Sequence, residues 1–469
     1  MNSIIRWAES PNDSKGLLDK PSTPFDKGQI ARPIRITFHS STLKELPEGE
    51  NSALEVLLEF AARESPNLLA LATEPGSIQL LEIGSQSEDH YIPVTIRYSE
   101  ENYLQSGIMY PRQHPDLAAH MVSRLGGDPS ECEQALQDLI VARAHHSVHH
   151  DILVTNSKWL LQNREMGFVE EANPLLPSEA LKILGLLLRI RNDFRYASRA
   201  AFDRGLFYWV LVRYKLPAMW RYFSACVYSE EPRGDNITIL GQSILVRCER
   251  AIQARDEIGR LFYVRQDNNT RDEAMYHFDY LTLLLSGALD AQARVAYRTY
   301  QIVVPASERN ANFRDIGFVT EIGKIDPNLA SFLNGDYYRD ISKIVSKMRN
   351  TIHGAGLIPT AYQDGIAPEK SFVQVPDTDA QVIWDICEKY GSAANWGLLK
   401  LPGMILFEPY AFSQRLIKHT FEIVNTIATL TQVEKLFPTG VPIPELKNSP
   451  PADDHMFDAR IGERLALLA

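Results

Sequence analysis

The feature that most limits the fold is an alternation of strand-like and helix-like segments in the first third of the chain. Pro33–Phe38 alternates polar with β-branched residues, and Asp151–Thr155 is a short apolar run, so both are predicted to be strands. Asn51–Arg63 and Pro129–Ala144 carry apolar residues at helical spacing. Strands and helices in this order are typical of a parallel α/β sheet.

Tyr91–Arg97 is predicted as one more strand of this region, and Pro93 would place it at a sheet edge because proline cannot donate a ladder hydrogen bond. Beyond about residue 172 the pattern becomes almost entirely helical. The predicted fold is therefore an α/β N-terminal domain with a parallel sheet, followed by a mainly α-helical C-terminal domain.

Four helical segments are predicted in the second part of the chain. Ser178 is expected to cap a helix that runs to Arg191. Thr270–Glu273 matches a capping box and would open a long helix toward Tyr300, interrupted by Gly287. The other two are a helix over Tyr338–His353, which would end at Gly354, and a final helix pair over Gly403–Phe437.

Composition shifts suggest five segments. Residues 1–32 are predicted to be a flexible leader, and 33–172 form the α/β domain. Residues 173–265 are a helical connecting region, and 266–438 form the main helical domain. Residues 439–469 read as a proline-rich linker with a short terminal helix from about Met456.

Charge and cysteine content exclude several classes of protein. The chain has 48 Lys and Arg against 59 Asp and Glu, a formal charge of −11, so nucleic-acid binding would need a local basic patch. The four cysteines form no C-x-x-C pair, which argues against a cysteine zinc site. We find no apolar run long enough for a signal peptide or a membrane helix, and we expect a cytoplasmic protein without membrane association.

The stretch Asp138–His145 followed by Leu153–Val154–Thr155 resembles the second half of a PIN domain, the ribonuclease fold of VapC-type toxins. In that family an acidic residue opens the helix D-x-x-I-A-x-x-A, and the next strand reads L-V-T-x-[ND]. The resemblance implies a ribonuclease that uses Mg²⁺ or Mn²⁺. Carried onto this chain, Asp138 and Asn156 would be the metal ligands.

Two positions depart from that pattern. His39 stands where the first strand of the family has an aspartate, and Asn156–Ser157 stands where a final acidic residue is common. The second acidic ligand could be Glu55, Glu59 or Glu82. With one matched carboxylate, binding of a hard cation would be weak. The alternative interpretation is that Asp138 is an ordinary acidic residue on a helix surface.

The segment Lys347–Gly354 resembles the motif helix of HEPN domains, which are helical, usually dimeric, and in many cases metal-independent ribonucleases. Arg349, Asn350 and His353 match the family's Arg-polar and His positions, although only three residues separate Arg349 from His353. The earlier long helix, with Asp279 and Asp290, would belong to the same bundle. The structural alternative is that Arg349 binds a carboxylate while His353 caps the helix.

Arg191, Arg195 and Arg199 recur at short spacing among aromatic residues. Such a pattern suits single-stranded nucleic acid, whose bases stack on rings while phosphates pair with arginine. Aromatic residues at helical spacing also form cores, with arginines on a solvated face, so that alternative stays open.

Together the two resemblances imply an RNA-directed protein of the toxin, defence or stress-response kind, and a candidate endoribonuclease. The expected partners are RNA, a second copy of the chain, and an antitoxin-like protein. The alternative is an inactive RNA-binding or protein-binding module in which both nuclease-like sites have degenerated.

Overall fold

A computed structural model gives the architecture. It describes residues 25, 34–39, 41–61, 68–70, 79–83, 91–97, 103–109, 138, 141, 142, 145, 151–164, 169, 172–194, 203–264, 267–302, 307–352, 357–362 and 370–450. Several predictions fall outside these residues: the leader apart from Phe25, the positions of Arg195, Arg199, His353 and Gly354, and the helix from Met456.

The chain divides into two compact units, Met1–Asp193 and Phe194–Ala466. The first unit combines strands with helices, and the second is mainly helical. In the first unit the elements are β1 (Ile34–Phe38), α1 (Glu50–Ala61), β2 (Leu68–Ala70), β3 (Gln79–Ile83), β4 (Tyr91–Arg97), β5 (Tyr103–Met109), β6 (Ile152–Val154), α2 (Lys158–Gln162), β7 (Pro174–Leu175) and α3 (Pro177–Ile190).

The predicted parallel sheet is confirmed. Its strand order is β2-β1-β6-β7, and every pair is parallel, with Ile34 opposite Leu68 and Ile36 opposite Ile152. All five residues of β1 are buried, as expected for the central strand of a parallel sheet that is covered on both faces.

Tyr91–Arg97 is a strand, but the prediction that Pro93 places it at a sheet edge is wrong. It is the middle strand of an antiparallel sheet, β3-β4-β5, separate from the parallel sheet. Pro93 is opposite Gly107 of β5, while the pairing with β3 ends at Val94. The proline therefore lies where its missing amide proton interrupts no pairing with β3.

Helix α3 belongs to the first unit and packs on α1. The prediction that Ser178 caps α3 is wrong, because Leu176 is the N-cap residue and its amide donates to Glu179 Oε2 at 2.9 Å. Ser178 instead donates to the Glu50 carboxylate through its amide (2.8 Å) and its hydroxyl (2.6 Å). This pair of bonds ties the first turn of α3 to the first residue of α1.

The second unit is built around two long helices, α6 and α7, that pack against each other, with α10 and α12 also packed on α7. Its elements are α4 (Arg204–Lys215), α5 (Ala218–Arg233), α6 (Ile237–Tyr263), α7 (Asn268–Tyr300), α8 (Ile316–Ile325), α9 (Pro327–Asn334), α10 (Asp336–Thr351), β8 (Ile358–Tyr362), β9 (Lys370–Gln374), α11 (Asp377–Lys389), β10 (Leu398–Leu401), β11 (Met404–Phe407) and α12 (Pro409–Leu430), with short 3₁₀ turns at Glu308–Asn310, Ala394–Trp396 and Val433–Leu436.

Two details of α7 differ from the prediction. The capping box is formed by Asp267 and Thr270, not by Thr270 and Glu273: the Asp267 carboxylate accepts from the Thr270 amide, and the Thr270 hydroxyl accepts from the Asp267 amide, both at 2.8 Å. The helix also continues through Gly287 without interruption. Gly287 instead lies against the side chain of Arg247 on α6.

The predicted helix pair over Gly403–Phe437 is also wrong. Gly403, at φ +80°, lies in the turn between β10 and β11, which join β9 and β8 in an antiparallel sheet of order β10-β11-β9-β8. One helix, α12, follows. Within the part of the chain that the structure describes, none of the helices is long and apolar enough to cross a lipid bilayer.

Candidate functional site

The carboxyl edge of the parallel sheet brings together the residues that the first resemblance singles out. His39 follows β1, and Thr155, Asn156 and Ser157 follow β6, because the two strands are adjacent and parallel. The His39 amide donates to the Val154 carbonyl at 2.9 Å and so extends the ladder by one residue. Open α/β sheets place their ligand sites at this edge.

A network of hydroxyl groups fixes the His39 ring. The Thr42 hydroxyl donates to the His39 carbonyl at 2.9 Å, so across the 3.1 Å contact between the Thr42 and Thr155 hydroxyls it is Thr155 that donates. The Thr155 oxygen then accepts from Nδ1 of His39 at 3.0 Å. This assignment places the ring proton on Nδ1 and leaves Nε2 of the neutral ring without one.

Asp138 lies at the centre of this edge, helical and only 2% exposed. Its Oδ2 accepts a hydrogen bond from the Ser157 hydroxyl, and its Oδ1 lies 3.8 Å from His39 Nε2. Burial lowers the pKa of His39, and the negative charge of Asp138 opposes part of that effect. Ser157 also accepts from the Leu160 amide at 3.1 Å and thereby caps α2.

The second predicted metal ligand, Asn156, has different partners. Its side-chain amide donates to the Glu45 carbonyl at 2.6 Å, and its backbone amide donates to the Thr42 hydroxyl at 3.1 Å. A site for Mg²⁺ or Mn²⁺ needs several oxygen ligands that converge. In the described residues Asp138 brings one carboxylate, hydrogen-bonded to Ser157 and next to an imidazole, so this donor set does not fit either cation.

One other group of potential ligands exists in the described part of the chain. Glu257, Glu273 and His277 place one ligand atom each within 4.8 Å of one another. Arg260 bridges the two glutamates, at 3.0 Å from Glu257 and 2.6 Å from Glu273. The guanidinium already neutralises the carboxylates that a cation would need.

The helical unit places the residues of the second resemblance on α10. Arg349 is half-buried and Asn350 is exposed in its last turn. His353, the third predicted residue, lies outside the described residues. Helix α10 packs on α7, and this contact brings Arg349 near Asp290 of α7.

Four guanidinium groups, which we call the arginine cluster, lie close enough to Asp290 for their charges to act on its carboxyl group: Arg247 of α6, Arg294 of α7, Arg314 in the loop before α8, and Arg349. Burial raises the pKa of Asp290, although the positive charges of all four arginines act to lower it. In the described part of the chain, none of the four makes an ion pair with a carboxylate within 4 Å. The charges of four arginines therefore act on this one carboxyl group.

Gly287 makes room for one member of the cluster. It lies one turn before Asp290 on α7, and a methyl group built on it would collide with Nη1 of Arg247 and lie 3.0 Å from Cζ. The Arg247 guanidinium therefore lies directly on the α7 backbone. The glycine lets this cation approach a helix surface that a larger residue would cover.

The same face of α7 continues into exposed apolar and aromatic side chains. Tyr276, Tyr280 and Leu283 are exposed, Tyr276 by 69%. Their spacing of four and three residues places them in line with Gly287 and Asp290 on one helix face. Aromatic rings and guanidinium groups are the two elements that bind single-stranded nucleic acid, and here the two tyrosines lie about 15–21 Å from Asp290 along the helix axis.

The third predicted group is only partly described. Arg191 lies at the C-cap of α3 and is half-buried, whereas Arg195 and Arg199 lie outside the described residues. Arg191 belongs to the first unit, and Arg349 belongs to the second.

The sequence had singled out Arg349 and Asn350, but not Arg247, Arg294 or Arg314. No local motif contains those three, because they come from two other helices and a loop. Comparison with family models, with curated proteins and with solved structures gave no match to this chain.

Proposed function

We propose that the protein binds single-stranded RNA through the helical unit, with the arginine cluster as its phosphate-binding site. The observation that carries this proposal is the group of four guanidiniums near Asp290 that make no ion pair within 4 Å in the described residues, in a chain of formal charge −11. Guanidinium forks match the geometry of phosphate oxygens. The exposed Tyr276 and Tyr280 supply rings on which bases stack.

The catalytic form of this proposal is metal-independent cleavage at Arg349 and His353. In it, Arg349 would hold the scissile phosphate, and the His353 imidazole would take the proton of the ribose 2′-hydroxyl as that oxygen bonds to phosphorus. The bond from phosphorus to the 5′-oxygen would break and the 5′-oxygen would take up the proton, giving a 2′,3′-cyclic phosphate and a 5′-hydroxyl. The inactive binding module is the alternative. The PIN-like unit serves structure in both forms, because Asp138, His39 and Ser157 are engaged with one another in its interior.

The binding test uses the full chain and a fluorescein-labelled 12-nucleotide oligouridine, followed by anisotropy at several salt concentrations. We expect Arg349→Ala to weaken binding about tenfold, or about 1.4 kcal/mol, and to reduce the salt slope by about 0.7, the value for one phosphate contact on a single strand. Arg309→Ala removes an exposed arginine outside the cluster and is the matched control. Equal affinity of the two variants would refute the site.

Cleavage is tested on the same labelled RNA with Mn²⁺ and with EDTA. Products that persist in EDTA and disappear in His353→Ala support the catalytic form. Cleavage that is lost in EDTA would assign the activity to a metal site and contradict the proposal. Binding without cleavage in either condition leaves the binding module as the function.

The setting of this activity is part of the same proposal: a toxin-like or stress-response protein that acts as a homodimer and is held by an antitoxin-like partner. Its support is the pair of sequence resemblances. Light scattering at micromolar concentration tests the dimer, and a monomer would contradict it.

A further inference from the structure

A cavity of about 470 Å³ opens beside the arginine cluster, where the loop before α8 meets α8, α9 and α10. We call it the basic groove. Its cations are Arg314, Arg339, Lys343 and Lys347, and no acidic residue is found among the described residues that line it. Its volume falls within the range of roughly 300–1,000 Å³ that is typical of ligand pockets.

Most of this positive charge is not neutralised by neighbouring side chains. Lys347 pairs with Asp379. Arg339 donates to the amide oxygen of Asn334 at 2.8 Å, and Arg314 donates to Asn312 and Ser346, all of which are uncharged partners. Lys343 is exposed and has no hydrogen bond or ion pair with any residue in the described segments. Arg339 and Lys343 are therefore left for an anion, while the charge of Arg314 also acts on Asp290.

The groove also has an apolar side. Ile316, the first residue of α8, is 75% exposed at its rim, and the buried rings of Phe313 and Tyr338 lie among its walls. Ile316 is the most exposed of the large hydrophobic residues in the described chain. An apolar side chain in open solvent beside a cluster of cations is suited to a ligand with both a flat apolar part and an anionic part.

We propose that the basic groove binds one nucleotide unit, with its phosphate on Lys343, Arg339 and Arg314 and its base against Ile316. Guanidinium and ammonium groups bind phosphate, and a base presents a flat surface to an apolar side chain. The unit is either one residue of an RNA strand or a free nucleotide. Where the unit is a residue of an RNA strand, the inference rests on the proposed function, since Arg314 belongs to both the basic groove and the arginine cluster.

An RNA strand would then pass from the groove to Arg349. Asn350 lines the groove and is the residue next to Arg349 on α10, while Arg314 contributes to the field at Asp290. The two phosphate positions would thus be neighbours, with Arg314 contributing charge to both. The groove places one nucleotide beside the phosphate that the arginine cluster holds.

The test is isothermal titration of the full chain with four probes: AMP, adenosine, inorganic phosphate and the 12-nucleotide oligouridine. We expect AMP to bind more tightly than adenosine or phosphate alone. Lys343→Glu should weaken AMP at least tenfold and should also weaken the RNA. Ile316→Ser should weaken AMP several-fold and leave phosphate unchanged, because only the base touches that side chain.

Lys324→Glu provides the matched control, because Lys324 is an exposed lysine on α8 that does not line the groove. Lys343 and Ile316 are both exposed, so their substitution leaves the core intact. Thermal melting of each variant, measured by circular dichroism, checks this directly.

The outcomes separate the groove from the proposed function. RNA that binds through Arg349 with no effect of Lys343→Glu on either ligand would overturn the groove and leave the function standing. AMP that binds through Lys343 while no RNA binds would support a free-nucleotide site and overturn the function. An oligoglutamate peptide serves as a competitor in the same titration. If it displaces AMP and its binding is unaffected by Ile316→Ser, the groove belongs to acidic peptides and the inference is overturned. The absence of binding by any probe would also overturn it.

Discussion

Two buried histidines, His39 in the first unit and His419 in the second, are held in the neutral form. The His419 ring stacks on Trp396 with a centroid distance of 5.0 Å and an interplanar angle of 6°. The Tyr337 hydroxyl donates to Glu422, so Nδ1 of His419 donates to the Tyr337 oxygen at 2.9 Å. Nε2 of His419 is buried and has no hydrogen-bond partner. Burial lowers the pKa of both imidazoles.

These histidines predict a loss of stability in mild acid. With the folded-state pKa lowered below the ordinary value of 6.5, the unfolded chain takes up protons first as the pH falls. The free energy of unfolding should therefore be constant above about pH 7 and decrease below pH 6.5. Urea unfolding at pH 7.5 and pH 6.0 measures this. His419→Phe keeps an aromatic ring on Trp396 and should reduce the dependence, and a stability that rises toward pH 6.0 would contradict it.

At the residue scale, sequence reasoning could identify side chains that share a motif or a strand end. Asn156 follows strand β6 and so lies at the carboxyl edge of the sheet, whereas Asp138 is singled out only by the family resemblance, as a helix residue. The role of Ser157 was missed, since an N-cap residue gives no sign that its hydroxyl also donates to a buried carboxylate. The remaining arginines of the cluster meet through tertiary packing of α6, α7 and α10, which no local pattern records.

At the scale of elements, Gly287 shapes one point of the contact between α6 and α7, where the Arg247 side chain lies. Its missing side chain lets Arg247 lie on the α7 backbone, whereas glycine inside a helix costs about 1 kcal/mol relative to alanine. Alanine at this position would favour the helix, but its methyl group would displace the Arg247 side chain.

This arrangement predicts a coupling between the two positions in a double-mutant cycle. Gly287→Ala alone should change the stability of the second unit little, because the helix preference for alanine is offset by displacing the flexible end of Arg247. In an Arg247→Ala background the same change should stabilise it by about 1 kcal/mol, the ordinary helix preference for alanine. Urea denaturation of the four chains gives the coupling energy. Equal effects in both backgrounds would show that Arg247 does not occupy the space above Gly287.

Segments with a strong period were predicted well, and their ends were not. β1, α1 and α10 were found because β-branching and apolar spacing identify them. The start of α7 was placed too late, because both Asp267 and Thr270 begin sequences that match a capping box. The sequence predicts helix over Gly403–Phe407, whereas Met404–Phe407 is strand β11. An apolar run of four residues fits a buried helix and a buried strand equally well, so it does not decide between them.

At the scale of the whole molecule, the chain consists of two units that each bury their own core. The core of the first unit lies on the parallel sheet, and that of the second lies between α6, α7 and α12. Separate cores unfold as separate cooperative units.

A substitution at Asp138 should therefore act on one unit only. Asp138→Ala removes the acceptor of the buried Ser157 hydroxyl and should cost the first unit about 2 kcal/mol. Glu55→Ala, at an exposed position of α1, is the matched control. Hydrogen exchange followed by mass spectrometry in increasing urea should show earlier unfolding of peptides before residue 194 and no change after it. An equal shift in both parts would mean that the molecule unfolds as one.

The pairing of β1 with β6 also has a consequence for protein synthesis. His39 and Thr155, which meet at the ends of these strands, are 116 residues apart in the chain. At about 5–20 residues per second, the ribosome adds the second strand roughly 6–20 s after the first. During that interval one edge of an apolar strand has no partner, and open strand edges invite aggregation. A nascent chain that stalls before Asp151 would expose this edge, so expression of the intact protein should be most sensitive to pauses in translation over that stretch of message.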